Sequence, residues 1–304
     1  MSRRQRTLPQ LPKHISQPDD LVTPHARICE GFLRQALEKT RRVTPHVAEA
    51  RRLSKALHSV EKVEDLLQMP ELGSHLISAA GFSVKATKNL SKPELDSAIK
   101  SVLEEVKSQS GNDFREEIVY RYLLTMGDAL GGSMRNVTGA AAGVRFAEAI
   151  VAALRKKGIR HQIQRASSGK IQRIAWPTRS LLFDRKPKLI DKNIDCILLD
   201  TGSTGKTEAQ LLEARQSYIA CGELKGGIDP AGADEHWKTA TAALNRIRAS
   251  FSTRRPALFF LAAAIMPAMA KEIFRQLSNR DLSHAANLTD SNQLVDLADW
   301  LVGL

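Results

Sequence analysis

A glutamate and a lysine stand two residues apart at the end of an apolar run. The run covers residues 218–225 and ends in Glu223 and Lys225, just before a Gly-Gly pair. Side chains of a β-strand repeat every two residues, so this spacing predicts that both lie on one face. Glutamate and lysine are poor strand formers, which indicates that this face has a chemical role.

A third candidate side chain, Asp195, stands at the head of a second apolar run, residues 192–199. Two carboxylates can hold Mg²⁺ through hard oxygen ligands, and the ion neutralises charge on a scissile phosphate. A neighbouring ammonium can orient the attacking water or help to deprotonate it. If the two strands are neighbours with these ends aligned, Asp195, Glu223 and Lys225 form the D…(E/D)xK arrangement of many nucleases.

Other acids and one histidine compete for a place in this site. Asp200 follows the end of its apolar run and suits a turn, so spacing alone favours Asp195 only slightly. His236 suits a general acid or water-orienting group near a phosphate, although a single histidine is more often structural. No second His or Cys stands at metal-ligand spacing, which argues against zinc. The remaining candidate ligands are Asp184 and Asp234.

Composition limits the class of protein and its partners. The chain has 304 residues, 42% of them hydrophobic, enough for a sizeable core in one or two domains. Its net charge of +12 favours a polyanionic partner such as DNA, although a basic protein without one has the same composition. Scattered cysteines and the lack of a signal-type N-terminus predict a cytoplasmic protein. The longest apolar run, residues 257–270, is too short to span a bilayer, so we expect no membrane partner.

The periodicity of apolar residues predicts two domains of different class. Residues 1–110 form a polar arm followed by helices, and residues 111–304 form an α/β catalytic domain in which strands alternate with helices. Helices are predicted at residues 114–125 and 140–157. The glycine-rich stretch between them, residues 127–136, indicates a tight turn or a close approach of the backbone to another backbone or to phosphate.

The run GSTGKT at residues 202–207 is similar to a phosphate-binding loop. Asp200 occupies the position where that motif requires its first glycine, so we interpret the run as a polar loop between two strands.

Two longer runs carry a family resemblance. Residues 222–240, GELKGGIDPAGADEHWKTA, resemble the catalytic signature of the AvaI/BsoBI type II restriction endonucleases. Residues 121–136, RYLLTMGDALGGSMRN, are similar to a second segment of that family, and similarity continues in the first helices and at residues 283–288. The resemblance spans nearly the whole chain, and residues 158–188 differ most.

This resemblance implies a restriction-endonuclease-like α/β catalytic core with a mostly helical additional domain. It implies an Mg²⁺-dependent homodimer that surrounds double-stranded DNA and cleaves CYCGRG after the first C, leaving 5′ overhangs. It also implies a restriction–modification system in prokaryotic cytoplasm, whose methyltransferase makes no direct contact with this chain.

The resemblance also assigns roles to individual residues. Asp195 and Glu223 match the metal ligands, and their separation of 28 residues agrees with the family and favours Asp195 over Asp200. Lys225 and His236 match the other active-site residues. Three further residues fall where the family contacts bases: Lys85, Lys192 and Asp229.

Two rival functions remain open. One is a DNA-binding protein without catalysis, in which the acid pair is structural, and the presence of all three D, E and K residues argues against it. The other is a nuclease of the same fold with a different target, such as a repair or junction-resolving enzyme, and the length of the family match disfavours it.

Overall fold

A computed structural model describes residues 11–202, 205–251 and 254–304, apart from the side chains of residues 84–85 and 135–138. The chain divides into two compact units, one of Met1–Leu33 with Val137–Leu304 and one of Arg34–Asn136. This division differs from the domain boundary that we expected between residues 110 and 111. It falls inside two long helices, which the helical periodicity alone does not reveal.

The unit of residues 34–136 is helical. Its buried residues recur at helical spacing, as Ile99, Leu103 and Val106 do, and pack into one core. At the start of one helix, the amide and the hydroxyl of Ser91 both donate to the Glu94 carboxylate. The helices are α1 (His25–Leu57), α2 (Val63–Leu67), α3 (Gly73–Ala79), α4 (Val84–Thr87), α5 (Lys92–Ser110) and the first part of α6 (Phe114–Lys156).

Helix α6 runs without a break through the glycine-rich stretch, so the two predicted helices are one and the tight turn is absent. A Cβ atom on Gly127, Gly131 or Gly132 would meet no described atom within 4 Å, so no close approach explains these glycines. Glycine lowers helix propensity by about 1 kcal/mol per residue, which is why the local sequence suggests a break. Buried residues on either side, such as Tyr122 and Phe146, hold the helix through tertiary packing.

One helical stretch within the described residues, Lys92–Lys156, has the length and average apolar character to cross a membrane. The core helix of a soluble protein meets the same two criteria, so this observation is weak evidence for a span.

The other unit is built on a mixed seven-stranded sheet whose strands follow chain order. Strands β1 to β5 pair antiparallel, and β5, β6 and β7 pair parallel. The strands are β1 (Gln162–Arg165), β2 (Ile171–Trp176), β3 (Arg179–Arg185), β4 (Ile194–Asp200), β5 (Tyr218–Lys225), β6 (Ala257–Ala262) and β7 (His284–Asn287). The helices of this unit are α7 (Glu208–Glu213), α8 (Ala233–Ser250), α9 (Pro267–Ser278) and α10 (Ser291–Gly303).

Helices α8 and α9 supply the crossovers that the parallel pairs require. A mixed sheet with crossover helices, together with a separate helical unit, confirms the predicted fold class.

Two hydrophobic cores cover the two faces of the sheet. The face that carries Ile197, Cys221 and Phe260 packs against α8 and α9, and we call it the α8 face. The opposite face carries Leu198 and Ala220 and packs against α6 and α10. Burial on both faces explains why β4 and β5 are almost continuously apolar.

The N-terminal segment packs on the α8 face, in contrast to the extended arm that we expected. Ile15 and Leu21 are buried there, and residues Pro18–Leu21 form a 3-10 helix. The Thr23 hydroxyl donates to the carbonyl of Ala263 and accepts from the amide of Ile265. The Asn287 side chain donates to the carbonyl of Leu21 and to Thr23 Oγ1. These contacts place residues 11–24 in the unit that contains the sheet.

Candidate active site

Strands β4 and β5 bring the predicted acids together. The strands are antiparallel, with Cys196 opposite Gly222, so the start of β4 lies beside the end of β5. Asp195 precedes Cys196 and Glu223 follows Gly222, which makes them neighbours across the pair. Alternation from Ile197 and Cys221 places both acids on the α8 face, and Lys225 follows on the same face.

Gly222, immediately before Glu223, allows a side chain of the neighbouring strand to pack against the backbone of β5. A Cβ atom on Gly222 would lie 2.2 Å from the ring of Phe259 on β6, so no larger residue fits. The aromatic ring therefore packs directly against the strand that carries the site, on the face opposite the carboxylates. A glycine inside an apolar strand is the sequence signal for such an approach, which our sequence analysis did not use.

Lys225 bridges the two carboxylates. Its Nζ lies 2.9 Å from Glu223 Oε2 and 3.4 Å from Asp195 Oδ2. The side chain of Glu223 is 5% exposed, whereas Asp195 and Lys225 remain 23% and 21% exposed, so solvent reaches the cluster at Asp195 and Lys225.

A backbone group also belongs to the cluster. The amide of Leu224 donates to Asp195 Oδ2 at 2.8 Å, which fixes the orientation of that carboxylate. Sequence analysis missed this contact because a backbone donor carries no residue-type signal.

The two carboxylates, Asp195 and Glu223, share a single paired cation, the ammonium of Lys225. Burial, followed by repulsion from Asp195, raises the pKa of Glu223 to about 7, although Lys225 opposes this shift. Burial lowers the pKa of Lys225, but attraction to Asp195 and Glu223 outweighs it, so the net pKa of the lysine is raised. At neutral pH the lysine therefore keeps its proton, and Glu223 titrates between its acid and its carboxylate.

One buried oxygen makes the site suitable for a cation. Glu223 Oε1 is buried and has no hydrogen-bond partner among the described residues. A buried carboxylate oxygen without a partner is unfavourable, and a divalent cation would satisfy it. No described group of three or more His, Cys, Asp or Glu side chains is arranged to hold a metal ion. Asp195 and Glu223 can supply two oxygens, and Mg²⁺ commonly takes its other ligands from water and phosphate.

His236 lies beside the segment that follows β5. A Cβ atom on Gly227 would come within 2.8 Å of His236 Cε1, so glycine at this position lets the ring pack against the backbone. Within the described chain, the ring makes no hydrogen bond to Asp195, Glu223 or Lys225. The structure thus places the histidine against Gly227, two residues after Lys225.

The three predicted base-contacting residues differ in what the structure shows. Asp229 is exposed, and its Oδ1 accepts from the amide of Ala231 at 3.0 Å, which caps the 3-10 helix Pro230–Gly232. Lys192 is exposed three residues before Asp195, at the same end of the sheet. The side chain of Lys85 lies outside the described residues.

The competing aspartates have other partners. Asp200 lies at the far end of β4, 3.2 Å from Arg179 Nη1. Asp184 stands next to Asp195 in the β3–β4 register, but its carboxylate pairs with Lys170 at 2.8 Å. Asp234 pairs with Lys238 in the first turn of α8. The GSTGKT run includes residues 203–204, which lie outside the described residues, so its loop assignment stays a prediction.

Comparison with known proteins agrees with this geometry. A family model described as restriction endonuclease BsobI matches residues 11–304. The type II restriction enzyme AvaI of Nostoc sp. is 39% identical over 311 residues, which cover 96% of this chain and 98% of the relative. The type II restriction enzyme BsoBI of Geobacillus stearothermophilus is 35% identical over 314 residues, with coverages of 96% and 97%. The chain therefore belongs to the BsobI restriction endonuclease family, as the signatures in its sequence predicted.

Proposed function

We propose that this chain cleaves double-stranded DNA at CYCGRG after the first C, leaving 5′ overhangs, as an Mg²⁺-dependent homodimer. The observation that carries the catalytic part is the cluster of Asp195, Glu223 and Lys225 on adjacent strands, with one buried carboxylate oxygen left without a partner. The target sequence is the one implied by the resemblance to the AvaI/BsoBI family. Identities of 39% to AvaI and 35% to BsoBI, each over 96% of this chain, support it.

Asp195 and Glu223 would hold the metal ion. Bound there, Mg²⁺ supplies charge neutralisation at a non-bridging phosphate oxygen and a water of lowered pKa. The Leu224 amide holds one oxygen of Asp195, so the other oxygen of that carboxylate is the one available to a ligand. The burial of Glu223 keeps bulk water away from its unpartnered oxygen and strengthens any charge interaction made there.

Lys225 acts as a fixed positive charge. Because its pKa is raised, the ammonium stays protonated and orients the attacking water or stabilises the negative charge that develops on the phosphate. This assigns it a positioning and electrostatic role in preference to proton abstraction. His236, beside Gly227, is the candidate to orient water or to transfer a proton from outside the carboxylate cluster.

Base recognition is assigned to Lys85, Lys192 and Asp229. Lysine can donate to guanine O6 and N7, and aspartate can accept from cytosine N4. A contact to N7 satisfies both purines and would read the degenerate R/Y positions. A palindromic site requires a two-fold dimer with one active site for each strand. The cognate methyltransferase would protect the same sequence without binding this chain.

Sequencing the ends of cleaved plasmid DNA tests this proposal. Purified protein with Mg²⁺ should cut only at CYCGRG, after the first C, and should not cut when the metal is chelated. Asp195→Asn, purified in parallel, controls for contaminating nucleases. A folded wild-type protein that leaves the plasmid intact would contradict the catalytic assignment. Cuts confined to another sequence would favour the same-fold nuclease with a different target.

A further inference from the structure

Strand β1 of the β1–β2 hairpin lies at the edge of the sheet and is mostly polar. All four residues of β1 are exposed, so this strand buries almost nothing. A strand exposed on both faces adds little to the core, which raises the question of what its side chains contact. The polar side chains of the hairpin include Gln164, Arg165, Lys170 and Arg173.

The register of the sheet places part of this polar surface on the catalytic face. Gln164 pairs with Arg173, which pairs with Leu182 of β3. Leu182 in turn pairs with Ile197, which has the same strand parity as Asp195. Gln164 and Arg173 therefore lie on the α8 face, together with the carboxylate cluster, whereas Arg165 pairs with Ile171 of the opposite core and belongs to the other face.

The hairpin turn also lies at the catalytic end of the sheet. Because β1 to β4 are antiparallel, the turn at residues 166–170 and the start of β4 lie at the same end of the strands. Lys170 Nζ contacts Asp184 Oδ2 at 2.8 Å, and Asp184 is the register neighbour of Asp195. Three strand spacings separate β1 from β4, about 14 Å, or the rise of about four base pairs.

The positive charge at this end of the sheet is only partly neutralised by described carboxylates. Arg165 donates to the carbonyl of Gly169 at 3.1 Å and makes no ion pair with any described carboxylate. Lys192 is exposed at the same end of the sheet, and it also lacks an ion pair within the described part of the chain. Phosphate groups of a duplex are the natural counterions for such side chains.

We propose that the β1–β2 hairpin binds the phosphate backbone of DNA outside the recognition sequence, with Arg165 as its principal contact. This inference rests on the proposed function, because a duplex must first be seated at Asp195. Charged side chains on an edge strand can also serve only to prevent pairing with other strands. In that case, substitutions at the two ends of the hairpin would have the same effect on DNA binding.

The two ends of the hairpin provide matched variants. Arg165 stands at the catalytic end, and Arg160 stands just before β1 at the opposite end, exposed as well. Fluorescence anisotropy without divalent metal would measure binding to two duplexes centred on CTCGAG. One duplex ends about 1 base pair beyond the site, and the other extends about 12 base pairs on each side, so only the second supplies the phosphates about four base pairs from the cleaved bond.

Arg165→Ala should weaken binding to the long duplex about three- to tenfold and reduce the salt slope by about 1. Binding to the short duplex should not change. Arg165→Lys should remain close to wild type, because phosphate neutralisation and counterion release depend on the charge, which lysine keeps. Arg160→Ala should match wild type on both duplexes, and thermal unfolding should show that all variants fold.

Equal effects of Arg165→Ala and Arg160→Ala on the long duplex would overturn the inference. A loss of equal size on both duplexes would also overturn it, since Arg165 would then act within the recognition sequence. Wild-type protein that does not prefer CTCGAG over a scrambled duplex would refute the proposed target sequence instead. Wild-type protein that binds neither duplex would refute the proposed function and this inference together.

Discussion

The two ends of strand β4 carry the same residue type with opposite electrical surroundings. Asp200 pairs with Arg179 and accepts from the amide of Gly202 at 2.9 Å, so one acid meets one cation. At the other end, Asp195 and Glu223 share Lys225 as their cation, and a buried oxygen of Glu223 has no described partner. The charges at the first end are balanced, whereas the second end has an excess of negative charge.

This difference separates a structural acid from a functional one. A balanced, hydrogen-bonded pair needs no further ligand, and its removal affects mainly the local structure. An excess carboxylate in a buried site opposes folding and favours the binding of a cation, which is the arrangement that metal-assisted catalysis uses. The predictions below test whether the two ends differ in function as they differ in charge.

Removing the excess charge or its cation should abolish cleavage. Glu223→Ala and Lys225→Ala should each reduce the rate of DNA cleavage by about 10³-fold or more, because both groups act on the transition state. Single-turnover cleavage of a duplex that contains CTCGAG measures the effect, with circular dichroism to confirm folding. Near-normal cleavage by both variants would remove these residues from the mechanism.

The same substitution at the two ends of β4 should give different results. Asp195→Asn should reduce cleavage by a similar factor of about 10³, whereas Asp200→Asn should stay within about twofold of wild type. The second variant should lose at most about 1 kcal/mol of stability, since the Asp200 carboxylate is 40% exposed. If Asp200→Asn alone abolished cleavage, the metal site would belong at the other end of the strand.

Glu223 should make the metal-free protein less stable at alkaline pH. Its folded-state pKa of about 7 lies above the unfolded value of about 4.3, so its contribution to stability is full below about pH 4.3 and is lost as the pH rises through 7. Glu223→Gln cannot ionise, and at pH 8 it should be more stable than wild type by on the order of 2–3 kcal/mol.

Urea unfolding at several pH values, with and without Mg²⁺, measures this difference. The gap between Glu223→Gln and wild type should close towards pH 4, and Mg²⁺ should stabilise wild type much more than the variant. Asp200→Asn is the matched control and should show neither behaviour. A gap that did not change with pH would indicate a packing effect of the amide.

Asp229 gives the smallest and most specific prediction. Asn caps a helix as well as Asp does but presents a donor to cytosine N4, so Asp229→Asn should keep the Ala231 contact and lose the base contact. Specific binding should weaken by about 1–3 kcal/mol at unchanged Tm. Asp229→Ala should lose both affinity and Tm. If Asp229→Asn kept the wild-type ratio of specific to non-specific affinity, the role of Asp229 would be limited to capping the 3-10 helix Pro230–Gly232.

Strand periodicity predicted part of the cluster of Asp195, Glu223 and Lys225. The two-residue repeat placed Glu223 and Lys225 on one face, and the 2.9 Å contact between their side chains agrees with that placement. The position of Asp195 beside Glu223 depends on the antiparallel register of β4 and β5, which the sequence does not encode locally. The roles of these residues and of His236 stay predictions until they are tested.

Tertiary packing decided the features that local signals did not reveal. Several glycines in α6 indicated a break, but buried residues on both sides of the stretch keep the helix continuous. Residues 11–20 looked like a polar arm, because few large apolar side chains, Leu11 and Ile15, mark their contact with the core. Neither outcome follows from propensity, since each depends on partners distant in sequence.

The polar contacts around Thr23 bear on the order in which the chain is synthesised. Thr23 Oγ1 bonds the Ala263 carbonyl 240 positions away, and Asn287 bonds the Leu21 carbonyl across 266 positions. The amide of Ala263 in turn donates to the carbonyl of Lys225 at 2.9 Å. Because a ribosome releases the N-terminus first, the strand end that carries the lysine gains these contacts only late in translation. A nascent fragment therefore lacks the full support of the site, and a DNA-cutting enzyme matures only as a nearly complete chain.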